Sequence, residues 1–276
     1  MENIKKRLVF HFYLPNEGYE TGANELHLRC LKKYSSIFDE VIIVIVHDEG
    51  IDTQKIINLE KKLSTIFQQS KVTFKTAKNT YLRDSKTFYD EIASKMDELD
   101  GITFFAHNKG LTNINSGKFE KEKIYKWVAA LYFGCLDFYN EAEFCLTELR
   151  CFGYGALFDI VDINFVENKS IVDILYSDLG KYSYLYTGTF FWINTQCLKG
   201  FMDRKGIELP KMVDRWYAEN FFSNIIEPHF CSTRNGVYAK NYLGGRECIE
   251  ELIDMCFVDN DLKKFENFYK EITEGL

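Results

Sequence analysis

Residues Val41–Val46 read Val-Ile-Ile-Val-Ile-Val, an unbroken run of β-branched side chains. A strand with one wet face alternates polar and apolar residues, so a run that is apolar at every position must be buried on both faces. Burial on both faces calls for helices above and below the sheet. Helices are placed there by crossover connections, which make neighbouring strands parallel. Ile102–Ala106 (Ile-Thr-Phe-Phe-Ala) has the same character. Leu8–Tyr13 is a third apolar run, ending ahead of Pro15, and Val72–Thr76 is a shorter one.

The segments between these runs have helical spacing. Asn24 is a candidate cap for a helix reaching Phe38, with Leu26, Cys30, Leu31, Tyr34 and Phe38 on one side. A second helix over Thr53–Phe67 carries Ile56, Leu59, Leu63, Ile66 and Phe67 on one stripe. A third over Asp84–Leu99 turns Phe88, Tyr89, Ile92 and Met96 inward. The order β-α-β-α-β-α-β defines the fold class as α/β, a mostly parallel sheet with helices on both faces. Beyond residue 118 the pattern loosens. It predicts a helix over Phe119–Tyr139, strands at Phe144–Leu146, Gly155–Phe158 and Tyr184–Ile193, and a helix over Val213–Ile226. Two acidic helices follow, Arg246–Phe257 and Asp259–Thr273. No linker divides the chain, so 1–276 reads as a single domain.

Composition removes several classes of function. A net charge of -7 leaves no basic surface for non-specific nucleic-acid binding. The eight cysteines form no CxxC pair and several sit in apolar runs, which suits buried free thiols in a reducing compartment. The scattered histidines offer no zinc spacing. No leader and no apolar stretch long enough to span a bilayer is visible, so the expected location is the cytoplasm, at most against the inner face of the membrane. GxxxxGK[ST], GxGxxG and GxSxG are all missing, which argues against common ATPases, dinucleotide enzymes and serine hydrolases.

In a parallel α/β sheet, ligands sit beyond the carboxyl ends of the strands. That rule selects Tyr13–Gly22, His47–Gly50, Lys78–Asp84 and His107–Ser116. The last opens with His107-Asn108-Lys109-Gly110, where Lys109 would supply charge to a phosphate and His107 a hydrogen bond. A polar turn closed by Gly110 is the simpler account of the same quartet. Arg83-Asp84 follows a strand and starts a helix, so Asp84 is either a cap or a residue facing the cleft. In Tyr186-Thr187-Gly188-Thr189-Phe190-Phe191-Trp192, Gly188 interrupts an aromatic strand, as where a backbone or ligand comes close, and Trp192 could stack on a sugar. Arg215 and Glu219 stand four apart, the spacing of a surface ion pair on a helix. Glu219 is equally suited to take a proton from a hydroxyl.

Phe12-Tyr13, Arg83-Asp84, His107-Asn108-Lys109, Gly188-Thr189-Phe190-Phe191-Trp192 and Arg215-Trp216-Tyr217-Ala218-Glu219, in this order, resemble a pattern in bacterial glycosyltransferase-like proteins of capsule and lipopolysaccharide loci, of the rhamnan-synthesis type. The resemblance covers about residues 6–226. It implies a GT-A-like fold with a nucleotide-binding half (1–117), a mixed acceptor half (118–245) and C-terminal helices (246–276). It implies a nucleotide-sugar donor and a glycan or lipid-linked oligosaccharide acceptor, with no nucleic acid. Tyr13, Arg83, Asp84, Asn108, Gly188 and Thr189 would hold the nucleotide-sugar, Trp192 the acceptor, and Glu219, Lys109 and His107 would be catalytic. Where most GT-A enzymes carry a metal-binding Asp-x-Asp, this chain has His107-Asn108-Lys109. A divalent metal such as Mn²⁺ is therefore disfavoured as a cofactor, with Lys109 neutralising the leaving diphosphate. A non-catalytic glycan- or nucleotide-binding protein of the same fold is the alternative.

Overall fold

The computed structural model describes residues 4–19, 22–108, 120–156, 158–161, 183–186, 189–213, 215, 217–226, 231–233, 253–254 and 257–276. The apolar runs are strands: β1 (Lys6–Leu14), β2 (Glu40–His47), β3 (Lys71–Lys78) and β4 (Ile102–His107). Helices α1 (Gly22–Tyr34), α2 (Thr53–Ile66) and α3 (Arg83–Glu91) connect them. β1 pairs in parallel with both β2 and β4, and β2 pairs in parallel with β3. The sheet continues through β8 (Phe191–Ile193), antiparallel to β4, then β5 (Gly153–Gly155) and β9 (Cys231–Thr233). The order is β3-β2-β1-β4-β8-β5-β9 in one seven-stranded sheet. A separate antiparallel pair joins β6 (Phe158–Val161) to β7 (Ser183–Tyr186). The α/β class and the mostly parallel, helix-flanked sheet read from the sequence are therefore present.

Alternate strand residues feed two cores. Leu8, Phe10, Phe12, Val41, Ile43, Ile45, Phe104 and Ala106 face α1, α2, α4 (Lys121–Tyr132) and α7 (Asp259–Thr273). Val9 and Phe105 face α3, α6 (Thr195–Lys205) and the 217–226 segment. The chain lays β2 and β3 on one side of β1, then returns over the other face to place β4 on the opposite side. The junction of β1 and β4 is thus a topological switch point, the place where open α/β sheets carry their ligand crevice. The amino-terminal edge is closed instead. There Arg7, 2% exposed, donates to Glu40 and Asp100 at 2.8 Å each. Asp97 is 3.7 Å from Lys199. Both aspartates lie at this amino-terminal edge, ahead of β4 and away from the carboxyl ends of the strands.

The second half departs from expectation where short apolar runs were ambiguous. Phe144–Leu146, expected as a strand, lies in α5 (Tyr139–Thr147), with Ala142, Cys145 and Leu146 buried and Phe144 exposed. The predicted helix Phe119–Tyr139 is α4, followed by a π-helical turn over Phe133–Asp137. The Asp84–Leu99 helix stops at Glu91 and yields to a 3-10 turn at Ala93–Lys95. Gly155–Phe158 and Tyr184–Ile193 are each split between the two sheets, and Thr189 breaks the latter with φ 60°. Among the described residues of Val213–Ile226 there are turns and a 3-10 turn at Phe222–Asn224, but no α-helix. There the Ala218 N–H donates to Ser85 Oγ at 3.0 Å instead of to a helical carbonyl. Most of Arg246–Phe257 lies outside the described residues, whereas Asp259–Thr273 is helix α7. Among the described cysteines, Cys30, Cys135 and Cys145 are buried free thiols, while Cys197 is exposed. No helix among the described residues is long and apolar enough to cross a membrane.

Candidate functional site

The first turns of α3 bring the crevice together. Asp84 Oδ2 is 4.0 Å from His107 Nε2, with the two side chains 13% and 12% exposed. One turn further on, Thr87 Oγ1 lies 2.8 Å from His11 Nδ1. Between them, Ser85 Oγ donates to the Arg215 carbonyl at 2.7 Å and accepts from Ala218 N–H. Asp84 lies in the first turn of α3, facing His107. It does not cap the helix, since no side chain caps α3 at Leu82. The His11 and His107 rings stand 6.4 Å apart at the ends of neighbouring strands. Burial pulls the His11 imidazole down to about 4 against the opposing pull of Asp84. His11 is therefore neutral at physiological pH.

Glu219 lies on the 217–226 segment. Thr189 Oγ1 donates to its Oε1 at 3.4 Å. Thr189 is fully buried in a left-handed conformation, φ 60°, which is costly for a β-branched residue and turns its hydroxyl toward Glu219. Phe190, the next residue, packs its ring 6.0 Å from the His107 ring. Contacts thus run from Glu219 to Thr189, and from Phe190 beside it to His107 and Asp84.

Tyr13 stands on the β2 side of the crevice, where its hydroxyl donates to Asp48 Oδ2 at 2.5 Å. Asn79 Nδ2 donates to the other Asp48 oxygen at 2.9 Å. Burial, with Asp48 adding to it, pushes the Tyr13 phenol up to about 12. Arg83, close enough to oppose that rise, lines a small pocket with Lys78, Thr80 and Lys86 at the ends of β2 and β3. Arg83 also has positive φ, 50°.

Of the residues singled out from the sequence, Asp84 lies against His107, Thr189 against Glu219, and Tyr13 near Arg83. Two do not act as expected. Asn108 is 5% exposed and its amide is fully committed within the protein. It accepts from Tyr13 N–H at 2.8 Å and donates to Tyr13 O at 2.7 Å and Asn24 Oδ1 at 2.8 Å. Asn108 ties β1 to α1 and has nothing left for a nucleotide. Trp192 is completely buried, stacked against Phe38 with Phe104 beside it, and its indole N–H donates to Cys135 O. A ring with no exposed face cannot hold an acceptor sugar. Lys109 and Gly188 lie outside the described residues. Asn24, expected as a cap, lies inside the first turn of α1.

His11, Asp48, Ser85 and Thr87 are the site residues that sequence reasoning did not select. Asp48 fell in the interval after β2 that the strand-end rule marks. His11 was visible as a polar residue within an apolar strand. Among the described residues, no three His, Cys, Asp or Glu side chains converge as a metal site. No family model matches the chain, and no curated protein matches it either.

Proposed function

We propose that this chain is a glycosyltransferase of GT-A-like fold. It would move a sugar from a nucleotide-sugar to a hydroxyl of a surface-glycan precursor of the capsule or lipopolysaccharide kind. The observation that supports the reading is the group of side chains at the switch point, where Asp84 faces His107 and Thr189 bonds Glu219 by the carboxyl ends of parallel strands. Tyr13 and Arg83 flank the nucleotide. His107, positioned by Asp84, hydrogen-bonds the departing diphosphate, and Lys109 adds charge to it. Glu219 takes the proton of the acceptor hydroxyl as its oxygen attacks the anomeric carbon and the glycosidic bond to the diphosphate breaks. Thr189 orients that carboxylate, and Gly188 leaves room for the sugar. In this scheme the leaving charge is met by side chains, and the acceptor is a glycan or a lipid-linked oligosaccharide presented at the membrane face.

The test is thermal stabilisation by a panel of nucleotides and nucleotide-sugars, with EDTA and with Mn²⁺, followed by donor turnover. A ligand that binds only the folded chain raises its melting temperature. A selective shift in EDTA, with turnover that falls about 10²-fold or more in Glu219→Gln, supports transfer with Glu219 as base. A shift with no turnover points to a non-catalytic binding protein of the same fold. Absence of any shift removes the nucleotide-sugar reading.

A further inference from the structure

The hydrogen-bond chain around Asn108 leaves one group stranded. Tyr13 N–H requires an acceptor, which fixes the Asn108 carbonyl oxygen toward it. Asn108 then presents Nδ2 to Asn24, so Asn24 must present Oδ1 in return. The Asn24 Nδ2 that remains is buried and has no hydrogen-bond partner. Because the orientation is forced, the unsatisfied group is a donor, and what it lacks is an acceptor.

A second buried group without a partner stands at the same helix end. The Tyr125 hydroxyl, on α4, is unbonded, and Tyr125 is 5% exposed. It lies where a Cβ on Gly22, the first residue of α1, would be only 2.2 Å away. Lys121 Nζ is 3.5 Å from that same point and 5.0 Å from the centre of the Tyr125 ring. The α1 dipole adds positive potential at this end of a 13-residue helix. Glu25, the acidic residue of the first turn, is occupied by Arg29 and Lys62.

We propose that the amino terminus of α1 is an oxyanion site that holds the diphosphate of the donor through Asn24 Nδ2, Tyr125 Oη and Lys121 Nζ. Two stranded donors, a lysine ammonium and a helix dipole all favour a multiply charged oxyanion. The Asn24–Asn108–Tyr13 link places the site at the carboxyl ends of β1 and β4. The inference rests on the nucleotide-sugar reading for the identity of the ligand, though not for its charge.

Titration calorimetry on the full chain tests it, with inorganic pyrophosphate and the common nucleoside diphosphates as probes. Wild type should bind pyrophosphate. Lys121→Met and Tyr125→Phe should each weaken it about tenfold or more. Lys199→Met, far from the site, should bind as wild type does. Tyr125→Phe should melt at or above the wild-type temperature without ligand, because it removes a stranded hydroxyl, so its weaker binding does not come from unfolding. No pyrophosphate binding by wild type, or equal binding by the variants, overturns the site. Equal binding of a nucleoside diphosphate by wild type and both variants does so too, while leaving the nucleotide reading intact. Pyrophosphate binding that the variants lose, with no nucleotide bound, upholds the site and removes the nucleotide-sugar reading.

Discussion

Replacing Asn108 by alanine should destabilise the fold by about 3 kcal/mol. Its side chain makes three hydrogen bonds, to Tyr13 N–H, Tyr13 O and Asn24 Oδ1, at 2.7–2.8 Å. A net value of about 1 kcal/mol for each gives the sum. Asn24 is buried, so the loss of its partner is costly, whereas partly exposed Tyr13 recovers some hydration. The first effect raises the cost and the second lowers it. Against a total stability of about 5–15 kcal/mol the loss is large. Asn108→Asp separates the components, since the acceptor for Tyr13 N–H survives while both donated bonds are lost. Urea unfolding followed by circular dichroism should place both Asn108→Asp and Asn108→Ala well below wild type, the aspartate because it loses two donated bonds and turns a carboxylate oxygen toward Tyr13 O. An Asn108→Ala protein within about 0.5 kcal/mol of wild type would refute the clamp and return Asn108 to the pool of ligand-binding residues.

Two further perturbations follow from burial. His11 has its folded pKa near 4, below the usual histidine value of 6.5, so the unfolded chain takes the proton first as pH falls. Its contribution is complete above about pH 6.5 and is lost between there and about pH 4, amounting to roughly 3 kcal/mol. Urea midpoints across that window should drop less steeply in His11→Gln than in wild type, and parallel slopes would rule His11 out as the sensor. Trp192→Phe removes the indole N–H bond to Cys135 O and opens space beside Phe38 and Phe104, at a cost of about 2 kcal/mol. Ligand-binding constants measured on the folded variant should stay at wild-type values, and a selective loss of acceptor binding would place Trp192 back in the site.

The first half of the fold was legible because its signals are local. Val41–Val46 could satisfy burial at every position only inside a covered sheet, and the helical stripes between strands supplied the cover. The strand-end rule then marked Tyr13, Arg83, Asp84 and His107 without any knowledge of contacts. The second half was less legible because Phe144–Leu146 and Val213–Ile226 are apolar runs whose periodicity serves helix, strand or turn alike. Their state was set by partners remote in sequence. Ser85, for example, takes the Ala218 N–H that a helix would have used.

The chain by itself determined the parallel α/β core and the edge at which ligands would gather, since the order of strands and helices and the chemistry of their ends are written in consecutive residues. Tertiary structure alone decided which polar groups are free to act. Asn108 and Trp192 carry the same donors and rings in any context, but the first is consumed by the backbone of β1 and the second is enclosed by Phe38 and Phe104. Asn24, which the sequence offered only as a cap, and Tyr125 become candidates because the fold buries Asn24 Nδ2 and the Tyr125 hydroxyl without partners. Availability for hydrogen bonding is the balance left after distant neighbours have taken their share, and it exists only once the chain has closed on itself.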